Sequence, residues 1–230
     1  MNKKQHIIAL FAAAAVTTSA QAANPASKAY VDQQVQTLQS QIASISTQIA
    51  SIATPTMYTL GQQTEGGIVF WVDSTGQHAL IGALADGTGG AQAWNEGGVG
   101  FRTWATGDGI FAGQTNNTLM SAGGAANNVG IISNGCLQFS TNANGVGDCP
   151  APGTAGANCY SNWYVPSKFE LNQLFLQQAL FSGFNASNYW SSNEQSDNNG
   201  FAWVQSFANG TQSLLAKTDP TPRYRCIRAT

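Results

Sequence analysis

Apolar residues follow a regular period in one part of this chain and fall in short separate runs in the other, and that change divides it. In the N-terminal part they fall at Val31, Val35, Leu38, Ile42, Ile45, Ile49 and Ile52, in steps of 4, 3, 4, 3, 4 and 3. An α-helix turns once in 3.6 residues, so these steps keep one stripe turned towards a neighbouring helix, the heptad pattern of a coiled coil. Val35, Ile42 and Ile49 take position a; Val31, Leu38, Ile45 and Ile52 take position d. Isoleucine at both positions favours three or four strands over two. The flanking positions are mostly Gln, Ser, Thr and Ala, which leaves few ion pairs to select a foreign partner, so copies of this same chain are expected to associate. The alternative is an amphipathic helix laid on its own domain. The pattern predicts a coiled coil over 28–53, ended by Pro55, and a linker over 54–63.

From residue 64 onward strand-like apolar runs alternate with long polar, glycine-rich loops. Residues 67–72 and 77–85 read as strands about the turn Asp73-Ser74-Thr75-Gly76. Residues 88–113 are glycine-rich, and Trp94, Phe101 and Trp104 are expected to pin that loop to the core. Residues 115–133 read as helical, broken at Gly123-Gly124. Ser167 and Glu170 have capping-box spacing ahead of the apolar face Leu171, Leu174 and Phe175. Tyr189-Trp190-Ser191-Ser192 reads as a strand, 201–208 and 211–217 as a hairpin about Asn209-Gly210, and 223–229 as a last strand. Few helices among many antiparallel strands make 64–230 an α+β domain.

The extreme N-terminus changes the picture of where the chain works. Lys3 and Lys4 precede an apolar run over 7–16 and the small-residue pattern Ala20-Gln21-Ala22, which predicts a cleaved signal peptide over 1–22 and a secreted or surface-displayed product. The run is too short to span a membrane, and no later segment reads as transmembrane. In an oxidising compartment the even set Cys136, Cys149, Cys159 and Cys226 predicts two disulfides. Three pairings are possible; Cys149–Cys159, closing a Pro/Gly/Ala-rich loop, with Cys136–Cys226 is favoured. Beyond residue 22, seven Lys/Arg stand against eleven Asp/Glu, a net charge of about −4, which argues against a nucleic-acid partner. Charged residues are only 9% of the chain, well below the roughly 25% of ordinary globular proteins. Such a surface suits hydrogen bonding to hydroxylated ligands.

Candidate chemistry is sparse. His78 is the one histidine beyond residue 22, no nucleophile-elbow motif occurs, and Glu96, Asp108, Glu170 and Glu194 are acid–base candidates by type alone. No enzyme, metal or cofactor is expected. Asn193, Glu194, Asp197, Asn198 and Asn199 make an oxygen-rich loop without EF-hand spacing, read as a solvated loop. Lys217, Arg223, Arg225 and Arg228 place four of the seven cations within twelve residues. Strand alternation groups Arg223 with Arg225 on an outward face, and Arg228 with Tyr224 and Cys226 inward as an ion-pair partner. Tyr189, Trp190 and Trp203 could stack on sugars or fill the core.

Four blocks carry a resemblance: Gly66-Gly67-Ile68-Val69-Phe70; Trp163-Tyr164-Val165-Pro166-Ser167-Lys168-Phe169-Glu170-Leu171; Tyr189-Trp190-Ser191-Ser192; and Arg225-Cys226-Ile227-Arg228. In this order they resemble the C-terminal domain of the Legionella collagen-like adhesin Lcl and its family, which is similar to C-type-lectin-like and formylglycine-generating-enzyme-like α+β domains. The resemblance implies a trimeric surface adhesin domain that binds glycans, sulphated glycosaminoglycans among them. The Gly-X-Y collagen repeats are absent. The expected product is therefore a non-catalytic homotrimer that takes host or matrix glycans, with Arg223, Arg225, Lys217, Tyr189 and Trp190 as ligand-binding candidates. The alternative is a structural or protein-interaction module of a surface appendage or matrix; a hydrolase is the remaining one.

Overall fold

The structure, a computed structural model, describes residues 28–50, 56–95, 102–124, 131–147, 149 and 158–230. The signal segment 1–22 and Ile52, Pro55, Glu96 and Phe101 lie outside the described residues. The chain divides into two units, Met1–Thr54 and Pro55–Thr230.

In the first unit, helix α1 (Lys28–Ala50) carries the heptad residues. Val31, Val35, Leu38, Ile42 and Ile45 are 47%, 45%, 55%, 63% and 40% exposed. Ile49 also lies within α1. No helix of the described residues is long and apolar enough to cross a membrane.

The second unit is α+β, with antiparallel pairing in each of its sheets. Strands β1 (Gln63–Thr64), β2 (Gly67–Val72), β3 (Ala79–Ala83) and β9 (Ile227–Ala229) form one sheet in the order β1-β2-β3-β9. Strands β6 (Asn188–Glu194), β7 (Phe201–Ser206) and β8 (Gln212–Ala216) form a second in chain order, and β4 (Thr141–Asn142) pairs with β5 (Cys159–Tyr160). Glu65 and Gly66 turn β1 into β2 with positive φ at both positions, 49° and 85°, the backbone that a two-residue hairpin twist requires. Gly210 (φ 80°) does the same work between β7 and β8, where a Cβ would also lie 2.6 Å from the Phe175 ring. The helical stretch expected over 115–133 is two helices, α2 (Ala112–Gly124) and α3 (Ile131–Gln138).

Helix α4 (Lys168–Leu176) begins on a complete capping box: Ser167 Oγ accepts from Glu170 N–H at 3.1 Å, and the Glu170 carboxylate accepts from Ser167 N–H at 2.8 Å. The same carboxylate receives Phe111 N–H at 2.7 Å and Tyr164 O–H at 3.2 Å. Glu170 thus ties α4 to the start of α2 and is fully buried. Two apolar clusters fill the unit. One holds Trp94, Met120, Ile132, Trp163, Trp190 and Tyr224; the other, which includes Leu171 and Leu174 of α4, holds Phe70, Leu80, Tyr189 and Phe207.

The two disulfides join Cys136 to Cys226 and Cys149 to Cys159. The first fastens α3 to the extended segment ahead of β9. That segment departs from the expected strand over 223–229, of which only Ile227–Ala229 is strand. Arg223 exchanges backbone hydrogen bonds with β6 (Trp190 N–H to Arg223 O and Arg223 N–H to Asn188 O, both 2.8 Å), while Ala83 N–H donates to Cys226 O at 2.9 Å. The segment is therefore a seam between the two larger sheets, covered on both sides.

Candidate functional site

The seam decides the fate of the basic cluster. Alternation exposes one face of a strand only where that face meets water, and here the middle of the segment, Tyr224–Ile227, is buried on both faces. Arg225, expected to point outward, is fully buried. Its Nε and Nη2 donate to Asp86 Oδ1 at 2.9 and 2.7 Å, its Nη1 donates to Ala83 O at 2.9 Å, and the guanidinium lies 4.1 Å from the Phe184 ring centroid. Lys217 is buried too, 3.2 Å from Glu194 Oε2 and over the Trp94 ring. Desolvation holds its pKa below the ordinary lysine value, with Glu194 pulling the other way. Tyr189 and Trp190 are core residues without exposed surface. Four of the five residues expected to meet ligand are therefore buried. The fifth, Arg223, has a side chain 32% exposed, with one hydrogen bond to Asp86 Oδ2 at 3.2 Å. Arg228, expected inward, is paired with Glu65 at 3.1 Å.

The other candidates from sequence are likewise absorbed into structure. Asp108 accepts from Phe169 N–H at 2.8 Å and faces Lys168 at 3.4 Å. Asn193 accepts from Lys168 N–H at 2.7 Å and donates to Gly107 O at 2.8 Å, and Asn198 accepts from Gly200 N–H at 3.0 Å. Trp203 is half-buried beneath the Lys168 ammonium. His78 is exposed just ahead of β3.

Each of the seven Lys/Arg beyond residue 22 stands within 4.0 Å of a carboxylate, and among the described residues five carboxylates serve them: Asp32, Glu65, Asp86, Asp108 and Glu194. Asp86 is shared by Arg223 and Arg225, and Glu194 by Arg102 and Lys217. In both triads a buried cation balances the carboxylate, and the outer arginine carries the surplus positive charge.

At the second triad the surplus sits beside an aromatic. Glu194, at the end of β6, accepts from Thr103 N–H at 2.6 Å and Thr103 Oγ at 2.5 Å through Oε2. Glu194 N–H donates to Ala105 O at 2.7 Å. Arg102 and Trp104 flank this anchored Thr103. The Arg102 guanidinium lies 4.6 Å from the Trp104 ring centroid and only 3.8 Å from Glu194 Oε1, too far for a hydrogen bond. Trp104 is 66% exposed and has a φ of 63°. The expectation that loop tryptophans pin the 88–113 loop inward holds for Trp94, which is fully buried and donates to Ser191 O at 2.9 Å. It fails for Trp104, because Thr103 rather than the indole supplies the anchor.

No protein-family model matches this chain and no curated protein matches it in sequence, so its function is read from these residues.

Proposed function

We propose that this is an exported, homotrimeric, adhesin-like protein. In this reading a coiled coil over 28–53 gathers three copies of a C-type-lectin-like domain that binds glycans without catalysis. The observation that carries it is the apolar stripe of α1, whose five described members are each at least 40% exposed. A helix such as this one of 23 residues draws most of its stability from packing its apolar face rather than from propensity, and burial of that surface at about 25 cal/mol per Å² is what would stabilise it. Three copies facing one another supply that burial, and the isoleucines at a and d favour that number or four. The four sequence blocks that resemble the Legionella collagen-like adhesin domain favour three and favour a glycan as ligand. Two disulfides suit an oxidising, extracellular setting.

A single domain with two surplus charges would hold a polysaccharide weakly. Three tethered copies multiply the contacts that one long chain can make, so avidity carries the affinity. Sulphated polymers belong to this reading through Arg223, the one sequence-named cation with exposed surface and surplus charge. Retention of the secreted protein on immobilised polysaccharides at low salt tests it. Binding to at least one polymer is expected, with Ile42→Asn/Ile45→Asn abolishing trimers and most of the retention together. A wild-type protein that no polysaccharide retains would end the reading.

A further inference from the structure

We infer that Arg102 and Trp104 form a subsite for an anionic sugar residue, a pyranose ring carrying a carboxylate or a sulfate; this deepens the glycan-binding reading and rests on it. Three independent features converge there.

The first is the indole. Trp94, Trp163 and Trp190 are fully buried, whereas Trp104 is 66% exposed. A tryptophan left in water forgoes the apolar burial that makes it stabilising. It is not left there by a loose loop. Thr103 on one side is bonded twice to Glu194, Ala105 on the other accepts from Glu194 N–H, and Thr106 N–H donates to Trp104 O at 2.9 Å. The second is the backbone. A left-handed φ at a bulky residue is strained, and such outliers persist where their surroundings impose them and gather at binding sites. Here the imposed conformation turns a large ring outward.

The third is the guanidinium. Among the described residues Arg102 makes no hydrogen bond, its ion pair with Glu194 is loose at 3.8 Å, and Lys217 sits closer to the same carboxylate at 3.2 Å. Its N–H donors and its charge are thus available, 4.6 Å from the ring centroid. Stacking on the indole fixes the guanidinium plane in advance, which lowers the entropic cost of engaging a bidentate anion. The apolar C–H face of a pyranose stacks on an indole, and a carboxylate or sulfate on that ring accepts from a flat guanidinium fork. A neutral sugar would use only the ring, and a small inorganic anion only the arginine.

The full secreted protein should be compared with Arg102→Gln, Arg102→Lys and Trp104→Ala for binding to hyaluronan (carboxylate), dextran sulfate (sulfate) and dextran (neutral). Wild type is expected to prefer a charged polymer over dextran. Arg102→Gln and Trp104→Ala should each weaken that binding about tenfold, and Arg102→Lys should restore part of it. Thermal midpoints should stay near wild type, which separates a lost subsite from a lost fold. The better charged polymer identifies the anion. If the variants bind the charged polymers as wild type does, the subsite is wrong while glycan binding stands. If dextran binds as tightly as the charged polymers, the anionic assignment is wrong. If wild type binds none of the three, both readings fall.

Discussion

Arg223 and Arg225 share one aspartate, and their replacement should have different consequences. Removing Arg225 leaves Asp86 without its two shortest hydrogen bonds and Ala83 O without its donor. Breaking a buried pair from one side costs about 3–5 kcal/mol, so Arg225→Met should lower the urea midpoint severely. Arg223, at the rim, should cost no more than about 1 kcal/mol as Arg223→Gln, and its effect should appear in polyanion retention instead. Glu170 is the second residue whose environment makes a prediction. Burial pushes its pKa above the ordinary 4.5, against the pull of its hydrogen bonds from Ser167, Phe111 and Tyr164. Between the ordinary and the raised value the folded protein keeps a proton that the unfolded chain has released. Its contribution to stability is therefore fully present below 4.5 and declines as pH rises through the raised value. Glu170→Gln should remove that slope from urea titrations at successive pH values. It should also destabilise by about 2 kcal/mol, because an amide places its N–H₂ against N–H donors.

At the scale of elements, the parts governed by neighbours in sequence could be read directly. The cap of α4 needs only Ser167 and Glu170, three residues apart, and the β7–β8 hairpin needs only Asn209-Gly210. Ser167→Ala should cost about 1 kcal/mol of stability, measurable by thermal denaturation. The burial of Arg225 was illegible for the opposite reason: it depends on Asp86, 139 residues earlier, and on a seam between two sheets that alternation within one strand cannot reveal. The exposure of Trp104 was illegible likewise, since it follows from the bond between Thr103 and Glu194, 91 residues apart. The signal that could have found it was already in the chain, an arginine two residues from a tryptophan in a loop of glycines. The Cys136–Cys226 bridge holds the seam from the α3 side across 90 residues. Its removal as Cys136→Ala/Cys226→Ala should cost about 2–5 kcal/mol, read from urea unfolding.

At the scale of the molecule, the proposed function depends on copy number. Among the described residues of each domain six cations share four carboxylates, which leaves two outer arginines with surplus charge, within a chain that is acidic overall. Three domains gathered by one coiled coil would offer six. The most direct test is the mass of the secreted protein in solution by sedimentation equilibrium, beside Ile42→Asn/Ile45→Asn. The proposal requires three times the protomer mass for wild type and the protomer mass for the variant. A wild-type protein that sediments as a monomer would contradict it.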